Sequence, residues 1–157
     1  MIGTNALWIS HPQDTKQNPL IPVFRKSFEV RKGLLSATLE VTSHGIYHTK
    51  INGTEVTDHR FTPGFTSYYH RIQYQTYDIT NFVNEGTNVW QTTVGDGWWR
   101  WHNNFGYTLS LKGEIALRYE SETVIIPTDT SFDVTAGKVI SSDYLKGEVF
   151  DNRVEIN

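Results

Sequence analysis

Hydrophobic and polar residues alternate along most of the chain, and the hydrophobic positions are largely β-branched or aromatic. Ala37, Leu39 and Val41, for example, are separated by Thr38 and Glu40. A two-residue period places every second side chain on one face of a strand, and β-branched and aromatic residues favour strands. The pattern therefore predicts a chain built mainly from strands that turn one face toward a core.

Short turns separate these alternating segments, as is typical of antiparallel sheets. The predicted strands cover residues 23–30, 37–42, 47–51, 55–56, 71–77, 88–94, 109–111, 115–119, 124–126, 132–134 and 139–140. About ten short strands with turns at regular intervals are expected for two packed sheets in one domain. We therefore predict an all-β fold, a jelly-roll-like antiparallel β-sandwich with at most one short helix, as a single domain over residues 1–157.

Two local signals refine this pattern. Asn52-Gly53 separates two strand segments, and both central positions of a type I′ hairpin turn need a positive φ, which Asn and Gly tolerate. The one helical signal is short, with Asp78 or Thr80 as the N-cap of a single turn over residues 81–83. Both signals agree with a fold made almost entirely of strands.

Composition and charge exclude several classes of function. The 157 residues carry a net charge of −3 without a basic run, whereas nucleic-acid phosphates require clustered Lys and Arg. No apolar stretch reaches the roughly 20 residues that span a bilayer, and residues 1–18 hold no signal-peptide pattern. The chain contains no cysteine, which rules out disulfides and thiolate chemistry. We therefore expect no nucleic-acid or membrane partner and a cytoplasmic location.

Candidate ligand chemistry is concentrated in a tryptophan-rich run, GDGWWRW, over residues 95–101. The glycines beside Asp96 predict a tight turn at the end of a strand. Trp offers a flat apolar face, Asp accepts hydrogen bonds and Arg donates several, and a pyranose ring needs all three. The candidate carbohydrate-binding residues are Asp96, Trp98, Trp99, Arg100, Trp101, Asn103 and Asn104.

The same run also has a structural interpretation. Neighbouring side chains of a strand point to opposite faces, so at least one of Trp98 and Trp99 is expected to pack against the core, where large aromatic residues are usually found. On this interpretation Asp96 only holds the turn. Arg100 and Trp101 are then the exposed members of the run.

Two features of the sequence bear on metal binding: the spacing of its histidines and the oxygen ligands of one loop. His44 and His48 have the spacing of a zinc pair on a helix, but four residues of a strand span roughly 13 Å. That distance is far more than two bonds of about 2 Å to one shared ion. We therefore expect no cofactor. The alternative is calcium bound by Asp96 with Asn103 or Asn104, because calcium accepts loop oxygens.

Several short motifs follow one another in a fixed order. They are GIY at 45–47, INGTEV at 51–56, TPGFTSY at 62–68, YQTYDIT at 74–80, EGTN at 85–88 and GDGWW at 95–99. The series begins near Trp8-Ile9 and ends with GEVFDNR at 147–153, so it covers nearly the whole chain. In this order the motifs resemble the N-terminal domain of bacterial α-L-rhamnosidases. The resemblance implies an accessory β-sandwich of a multidomain glycoside hydrolase that releases terminal L-rhamnose, with its catalytic carboxylates on a later helical domain.

Three functions are consistent with these observations. The resemblance favours non-catalytic recognition of an L-rhamnose-containing glycan, with tryptophans stacking on the sugar and Asp96, Arg100 and an asparagine bonding its hydroxyls. The alternative is a purely structural module that docks on the catalytic domain of the same polypeptide, because interfaces favour Trp, Tyr and Arg. The third is a self-contained glycosidase, which would pair Asp96 with Asp58, Asp78, Glu148 or Asp151. Because the catalytic domain is expected outside this chain, we expect this chain to have no enzyme activity.

Overall fold

The computed structural model describes residues 2–100 and 105–154, and these residues form twelve strands and one short 3-10 helix. The strands are β1 (Ile9–Ser10), β2 (Pro22–Val30), β3 (Ser36–His44), β4 (Ile46–Ile51), β5 (Thr54–Glu55), β6 (Gln75–Asp78), β7 (Gly86–Gly95), β8 (Ser110–Arg118), β9 (Thr123–Pro127), β10 (Asp133–Ala136), β11 (Val139–Asp143) and β12 (Gly147–Phe150). The helix covers Thr80–Phe82. Within the described residues, no helix has the length and apolar character needed to cross a membrane. The predicted all-β fold with at most one short helix is confirmed.

Ten of the described strands form two five-stranded antiparallel sheets with a shared core. In the first sheet the order is β1-β8-β3-β6, and β9 also pairs with β8. In the second sheet the order is β10-β2-β7-β4-β5. The remaining two strands, β11 and β12, pair with each other as a hairpin outside both sheets. The chain is therefore an antiparallel β-sandwich, as predicted, while the more specific jelly-roll designation stays a prediction.

The core lies between the two sheets because each sheet turns one face of apolar residues inward. In β3 the side chains of Ala37, Leu39 and Val41 are fully buried, on the face that the alternating pattern predicts. The second sheet contributes Trp90, which is also fully buried. On the other sheet, β8 carries Gly113, where a Cβ would lie 2.6 Å from the carbonyl oxygen of Glu40 in β3 and 3.3 Å from the Trp90 ring. Glycine therefore lets β8 lie close to the backbone of β3 and leaves space for Trp90.

The hairpin turn and the short helical turn both form in the segments where the sequence predicts them. Asn52 and Gly53 have φ values of 52° and 80°, as the predicted type I′ turn between β4 and β5 requires. The helical turn also lies where it was predicted, but Ile79 is its N-cap and makes no side-chain capping bond. Asp78 instead accepts a hydrogen bond from the amide of Thr80 over 2.9 Å. The predicted cap by Asp78 or Thr80 is therefore wrong in its position.

Several strands differ from the predicted ones. The strand predicted over 71–77 begins only at Gln75, because pairing with β3 starts there, opposite Val41. The two strands predicted within residues 109–119 are mainly one strand, β8, which passes through Gly113 without losing its pairing to β3. The strands β1 and β12 were not predicted. Both are short, and all four residues of β12 are exposed, so neither has a clear alternating pattern.

Candidate functional site

The tryptophan-rich run forms a tight turn where β7 ends at Gly95. The amide of Arg100 donates to the carbonyl of Asp96 over 3.4 Å, which closes the turn. Gly97 has a φ of 52°, and a Cβ at this position would overlap the side chain of Ile46. Glycine alone suits both the backbone conformation and the space. The predicted turn at this end of the strand is confirmed.

Arg100 lies at the centre of a buried polar network, with only 3% of its surface exposed. Its Nε donates to Asp96, and its Nη1 donates to Oδ1 of Asp14 over 2.7 Å. Nη1 also donates to the carbonyl of Tyr107 over 3.0 Å, and Nη2 to that of Leu20 over 2.9 Å. The planar guanidinium presents donors in fixed directions and so joins several acceptors at once. The prediction that Arg100 is exposed is therefore wrong, because this network buries it.

Both carboxylates of the network also accept hydrogen bonds from the backbone. Asp14 accepts from the amides of Leu20 over 2.8 Å and Leu109 over 2.7 Å. Asp96 accepts from the amide of Ser142 in β11 over 2.9 Å. The network thus ties the loop before β2, the start of β8 and the β11–β12 hairpin to the turn after β7. This arrangement agrees with the structural interpretation of the run, in which Asp96 holds the turn.

Trp99 belongs to a stack of three aromatic rings. Its indole centroid lies 4.0 Å from that of the His44 imidazole, and Trp8 stacks on the same imidazole at the same distance. Nε1 of Trp99 donates to the carbonyl of Thr108 over 3.0 Å, and the ring packs against the core. The prediction that at least one of the two adjacent tryptophans packs against the core is therefore confirmed.

His44 is held neutral within this stack. Its imidazole lies between the two indoles, and Nδ1 is 2.7 Å from the hydroxyl oxygen of Ser110. Burial disfavours the charged imidazolium and lowers the pKa of His44 to about 4. At neutral pH the stack therefore carries no charge.

Trp98 contributes to a partly exposed group of aromatic side chains. Its ring centroid lies 5.9 Å from those of Phe61 and Phe65 and 5.5 Å from that of Tyr144. Phe61 and Phe65 are 56% and 58% exposed. Phe61 also has a φ of 60°, which is rare for a bulky residue and costs free energy. We call Phe61, Phe65, Trp98 and Tyr144 the aromatic surface.

A groove of about 340 Å³ opens beside the aromatic surface, between the loop after β5 and the β11–β12 hairpin. Phe61 and Tyr144 line it with aromatic rings, while Arg60, Asp143 and Glu148 bring charged groups to it. Mainly apolar grooves with a few polar groups are typical of small-molecule sites. The sequence analysis named Glu148 only as a carboxylate for hydrolysis and missed the other four residues, because the loop and the hairpin are far apart in the chain and meet only in the folded structure.

Three of the candidate residues, Trp101, Asn103 and Asn104, lie outside the described residues. Calcium binding by Asp96 with one of these asparagines therefore stays a prediction. Within residues 2–100 and 105–154, no group of three or more His, Asp or Glu side chains is arranged to hold a metal ion.

Two of the carboxylates considered for glycoside hydrolysis are bonded in ways that favour their charged form. Asp78 accepts from the hydroxyl of Thr80 over 2.6 Å and from its amide, and these bonds lower the pKa of Asp78. Asp151 accepts from the guanidinium of Arg153 over 2.7 Å, which lowers the pKa of Asp151. A general acid needs the opposite effect, a raised pKa that keeps the carboxyl protonated near neutral pH.

Comparison with known proteins gives consistent matches. A family model described as the α-L-rhamnosidase N-terminal domain matches residues 32–157. An α-L-rhamnosidase from Formosa agariphila is 30% identical over 141 residues, which are 84% of this chain and 15% of that enzyme. The crystal structure of native α-L-rhamnosidase from Aspergillus terreus has a TM-score of 0.89 at 32% identity, over 97% of this chain and 19% of that one. The Streptomyces avermitilis α-L-rhamnosidase complexed with L-rhamnose has a TM-score of 0.81 at 28% identity, over 85% of this chain and 14% of that one.

Proposed function

The chain belongs to the family of α-L-rhamnosidase N-terminal domains, and we propose that it is a non-catalytic accessory domain that recognises carbohydrate for such an enzyme. The resemblance inferred from the ordered motifs is confirmed by this membership. The chain spans less than a fifth of the length of each relative described above. We infer that its parent polypeptide hydrolyses terminal L-rhamnose and contains a catalytic domain outside this chain.

The groove beside the aromatic surface is the observation that supports carbohydrate recognition. Its volume of about 340 Å³ falls in the range of roughly 300–1,000 Å³ that is usual for ligand pockets. The C–H face of a pyranose packs on aromatic rings such as Phe61 and Tyr144. Arg60 is a hydrogen-bond donor for sugar hydroxyls, and the carboxylates of Asp143 and Glu148 are acceptors.

The methyl group of a 6-deoxy sugar such as L-rhamnose also needs an apolar contact. Ile46 lines the same groove and provides an aliphatic side chain there. Burying one methyl group is worth about 0.8 kcal/mol, so this contact favours a 6-deoxy sugar over the corresponding sugar with a hydroxyl at C6. The groove is therefore suited to a 6-deoxy sugar such as L-rhamnose.

The backbone of Phe61 supports the same site. Its side chain is more than half exposed while its φ of 60° is unfavourable for a bulky residue. Residues held in unfavourable backbone conformations cluster at ligand-binding sites, because the surrounding fold must stabilise them for a purpose other than packing. We infer that the exposed ring of Phe61 forms one side of a preformed ligand-binding groove.

The sequence candidates take different roles in this proposal. Trp98 contacts both groove walls, Phe61 and Tyr144, and among the candidates within the described residues it is the one beside the groove. Asp96 and Arg100 are buried and hold the turn that presents Trp98. Trp99 supports the turn from the core side.

Titration with L-rhamnose tests the proposal, with tryptophan fluorescence and aromatic NMR shifts as readouts. We expect saturable changes at millimolar sugar, and a weaker response to L-mannose, which differs only by a hydroxyl at C6. Phe61→Ala should abolish saturation because it removes one groove wall. Leu35→Ala is the matched control, because Leu35 is 56% exposed but lies in the turn between β2 and β3, away from the groove residues.

If neither the fluorescence nor the NMR shifts of the folded wild-type chain change at millimolar L-rhamnose, sugar recognition is removed from the proposal. The second candidate function, a purely structural module that docks within the parent enzyme, would then account for the aromatic surface. The observation that favours this second function is the number of large apolar side chains exposed on the β11–β12 hairpin, five of which lie within residues 139–150.

A further inference from the structure

Three aromatic side chains continue the ring contacts of Trp98 beyond the groove. Phe65 contacts Trp98 at 5.9 Å and Phe105 at 6.3 Å between ring centroids. Tyr69 contacts Phe105 at 5.4 Å. We call Phe65, Tyr69 and Phe105 the aromatic extension, and none of the three lines the groove itself. The ring contacts therefore run without a break from the groove walls through Trp98 to Tyr69.

The aromatic extension is exposed but held in place. Phe65 and Tyr69 are 58% and 69% exposed, whereas Tyr68 between them in the loop is buried. The Tyr68 ring contacts those of Phe65 and Phe105 at 6.4 and 5.0 Å, and its hydroxyl donates to the carbonyl of Gly64 over 2.8 Å. The Tyr69 hydroxyl donates to the carbonyl of Phe105 over 3.0 Å. Exposed rings that are fixed before binding lose little conformational entropy when a ligand covers them.

Polar groups accompany these rings, which favours a sugar over a purely apolar partner. The side-chain oxygen of Gln73 lies 3.4 Å from the place of a Cβ at Gly64, the neighbour of Phe65 in the chain. The hydroxyl of Thr66 donates to the carbonyl of Arg71 over 2.5 Å, so the chain at Arg71 returns to the residue that follows Phe65. Aromatic faces beside amide and guanidinium groups suit a pyranose ring and its hydroxyls.

The loops that carry the aromatic extension are basic in an otherwise acidic chain. Residues 59–77 contain Arg60, Arg71 and two histidines but no aspartate or glutamate, and residues 97–109 also contain no acidic residue. The chain as a whole has a net charge of −3. Arg71 is exposed, and within the part of the chain that the structure describes it forms no ion pair with a carboxylate. Its guanidinium can therefore bind a carboxylate of a ligand.

We propose that the aromatic extension binds the second sugar of an acidic oligosaccharide, a uronate linked to the L-rhamnose that occupies the groove. The proposal rests on the sugar site proposed above and names its substrate class. The uronate ring stacks on Phe65 and Tyr69, and its carboxylate pairs with Arg71. Asp143 and Glu148 lie at the groove instead, where their carboxylates accept hydrogen bonds from the hydroxyls of the neutral sugar. The distribution of charge thus matches a neutral sugar in the groove and an anionic one beside it.

NMR titration of the chain with three sugars tests the proposal. The sugars are L-rhamnose, a disaccharide of L-rhamnose linked to D-glucuronate, and the neutral disaccharide in which D-glucose replaces the glucuronate. We expect the acidic disaccharide to bind roughly 5–10-fold more tightly than the neutral one, the gain from one charge-assisted contact. The neutral disaccharide should bind more tightly than L-rhamnose, because its second ring also stacks. Added salt should weaken only the binding of the acidic disaccharide.

Variants of Arg71 separate the charge from the rings. Arg71→Gln should remove the preference for the acidic disaccharide and leave the affinity for L-rhamnose unchanged. Arg31→Gln is the matched control, because Arg31 is also an exposed arginine. It follows the end of β2, where Val30 pairs with Gly86 at the start of β7, whereas the tryptophan turn follows the end of β7. This control should keep the preference of the wild type.

Variants of Tyr69 test the stacking. Tyr69 is 69% exposed, so its substitution leaves the fold intact, which the urea midpoint verifies. Tyr69→Ala should weaken the binding of both disaccharides roughly fivefold, because it removes one stacking ring, and should leave the affinity for L-rhamnose unchanged. Tyr69→Phe keeps the ring and should retain the affinity of the wild type for both disaccharides.

The possible results distinguish this proposal from the sugar site on which it rests. If L-rhamnose binds and neither disaccharide binds more tightly, the second sugar site is overturned and carbohydrate recognition by the groove remains. If both disaccharides bind more tightly than L-rhamnose but equally to each other, the acidic substrate class is overturned. If none of the three sugars binds, both proposals fail. Binding of the chain to phosphatidylserine vesicles, lost in Arg71→Gln, would then assign the basic aromatic loop to a membrane surface instead.

Discussion

Arg100 joins segments that are far apart in the sequence, and its removal is expected to be costly. Asp14, 86 residues away, and Asp96 are both buried and both accept from its guanidinium. Leaving buried charges without their partner costs about 3–5 kcal/mol. We therefore expect Arg100→Ala to lower the free energy of unfolding by about that amount, measured by urea denaturation followed by tryptophan fluorescence.

Two further variants separate the network from a general effect of charge. Arg100→Lys should also destabilise the chain, because an ammonium group cannot reproduce the planar fork of donors. Arg31→Ala is the control, since its ion pair with Glu122 is well exposed, at 59% and 51% of the two side chains, and exposed pairs contribute little. Equal unfolding midpoints for Arg100→Ala and Arg31→Ala would contradict the structural role of the network.

His44 is expected to make the stability of the fold depend on pH. Its pKa is lowered to about 4 by burial, from about 6.5 in an unfolded chain. Between these values the unfolded state binds more protons than the folded state, so the free energy of unfolding falls as the pH falls from about 6.5 to 4. His44→Phe keeps an aromatic ring in the stack but cannot titrate. Urea denaturation at several pH values should show that the free energy of unfolding falls less in this variant than in the wild type as the pH is lowered. An equal fall in both proteins would show that His44 does not cause the pH dependence.

Composition indicated the chemistry of the tryptophan-rich run, but not which of its residues are exposed. Arg100 was predicted at the surface, and nothing in the sequence marked Asp14 as its partner. Contacts between loops depend on the folded path of the whole chain. The same reason explains why Phe61 and Tyr144 were missed and why Glu148 was considered only as a carboxylate for hydrolysis, since each is an ordinary loop or strand residue until the groove brings them together.

At the scale of elements, two glycines with positive φ are expected to differ in their tolerance of substitution. Gly53 and Gly97 have φ values of 80° and 52°. A Cβ at Gly53 meets nothing within 4 Å, whereas one at Gly97 would overlap Ile46. Gly53→Ala should therefore lower the free energy of unfolding by about 1–2 kcal/mol, which is the cost of the left-handed backbone conformation alone. Gly97→Ala should cost roughly 2–4 kcal/mol, because steric overlap is added.

Urea denaturation of both variants, with the wild type as reference, provides the measurement. Gly97→Ala should also alter the environment of Trp98, the next residue, and so shift its NMR signals, while Gly53→Ala should leave them unchanged. Costs that are equal within error would show that the contact between the turn and Ile46 does not restrict position 97.

Strands with one buried face were the most predictable elements. In β3 the alternation of Ala37, Leu39 and Val41 with polar residues reports burial directly, and the turn at Asn52-Gly53 has a specific backbone requirement. The β12 strand shows the limit of this approach. None of its four residues is buried within this chain, so no alternation marks it, and its pairing with β11 sets its position instead.

At the scale of the whole molecule, the tryptophan turn connects the sandwich to the proposed sugar groove. On one side of the turn, Arg100 and Trp99 are tied to the loop before β2 and to the core. On the other side, Asp96 and Trp98 hold the β11–β12 hairpin, which forms a groove wall. The stability of the sandwich and the shape of the groove are therefore linked through five consecutive residues, 96–100.

The isolated chain is expected to release no nitrophenol from an aryl α-L-rhamnoside. Hydrolysis requires two facing carboxyl groups, one of them protonated near neutral pH. Asp96 is fully buried and bonded to Arg100 and Ser142, while hydrogen bonds lower the pKa of Asp78 and Asp151. Release measured against buffer and a mock purification should therefore be zero for the wild type. Asp96→Asn should reduce stability only, and measurable release by the wild type that a folded Asp96→Asn variant lacks would assign catalysis to this fold.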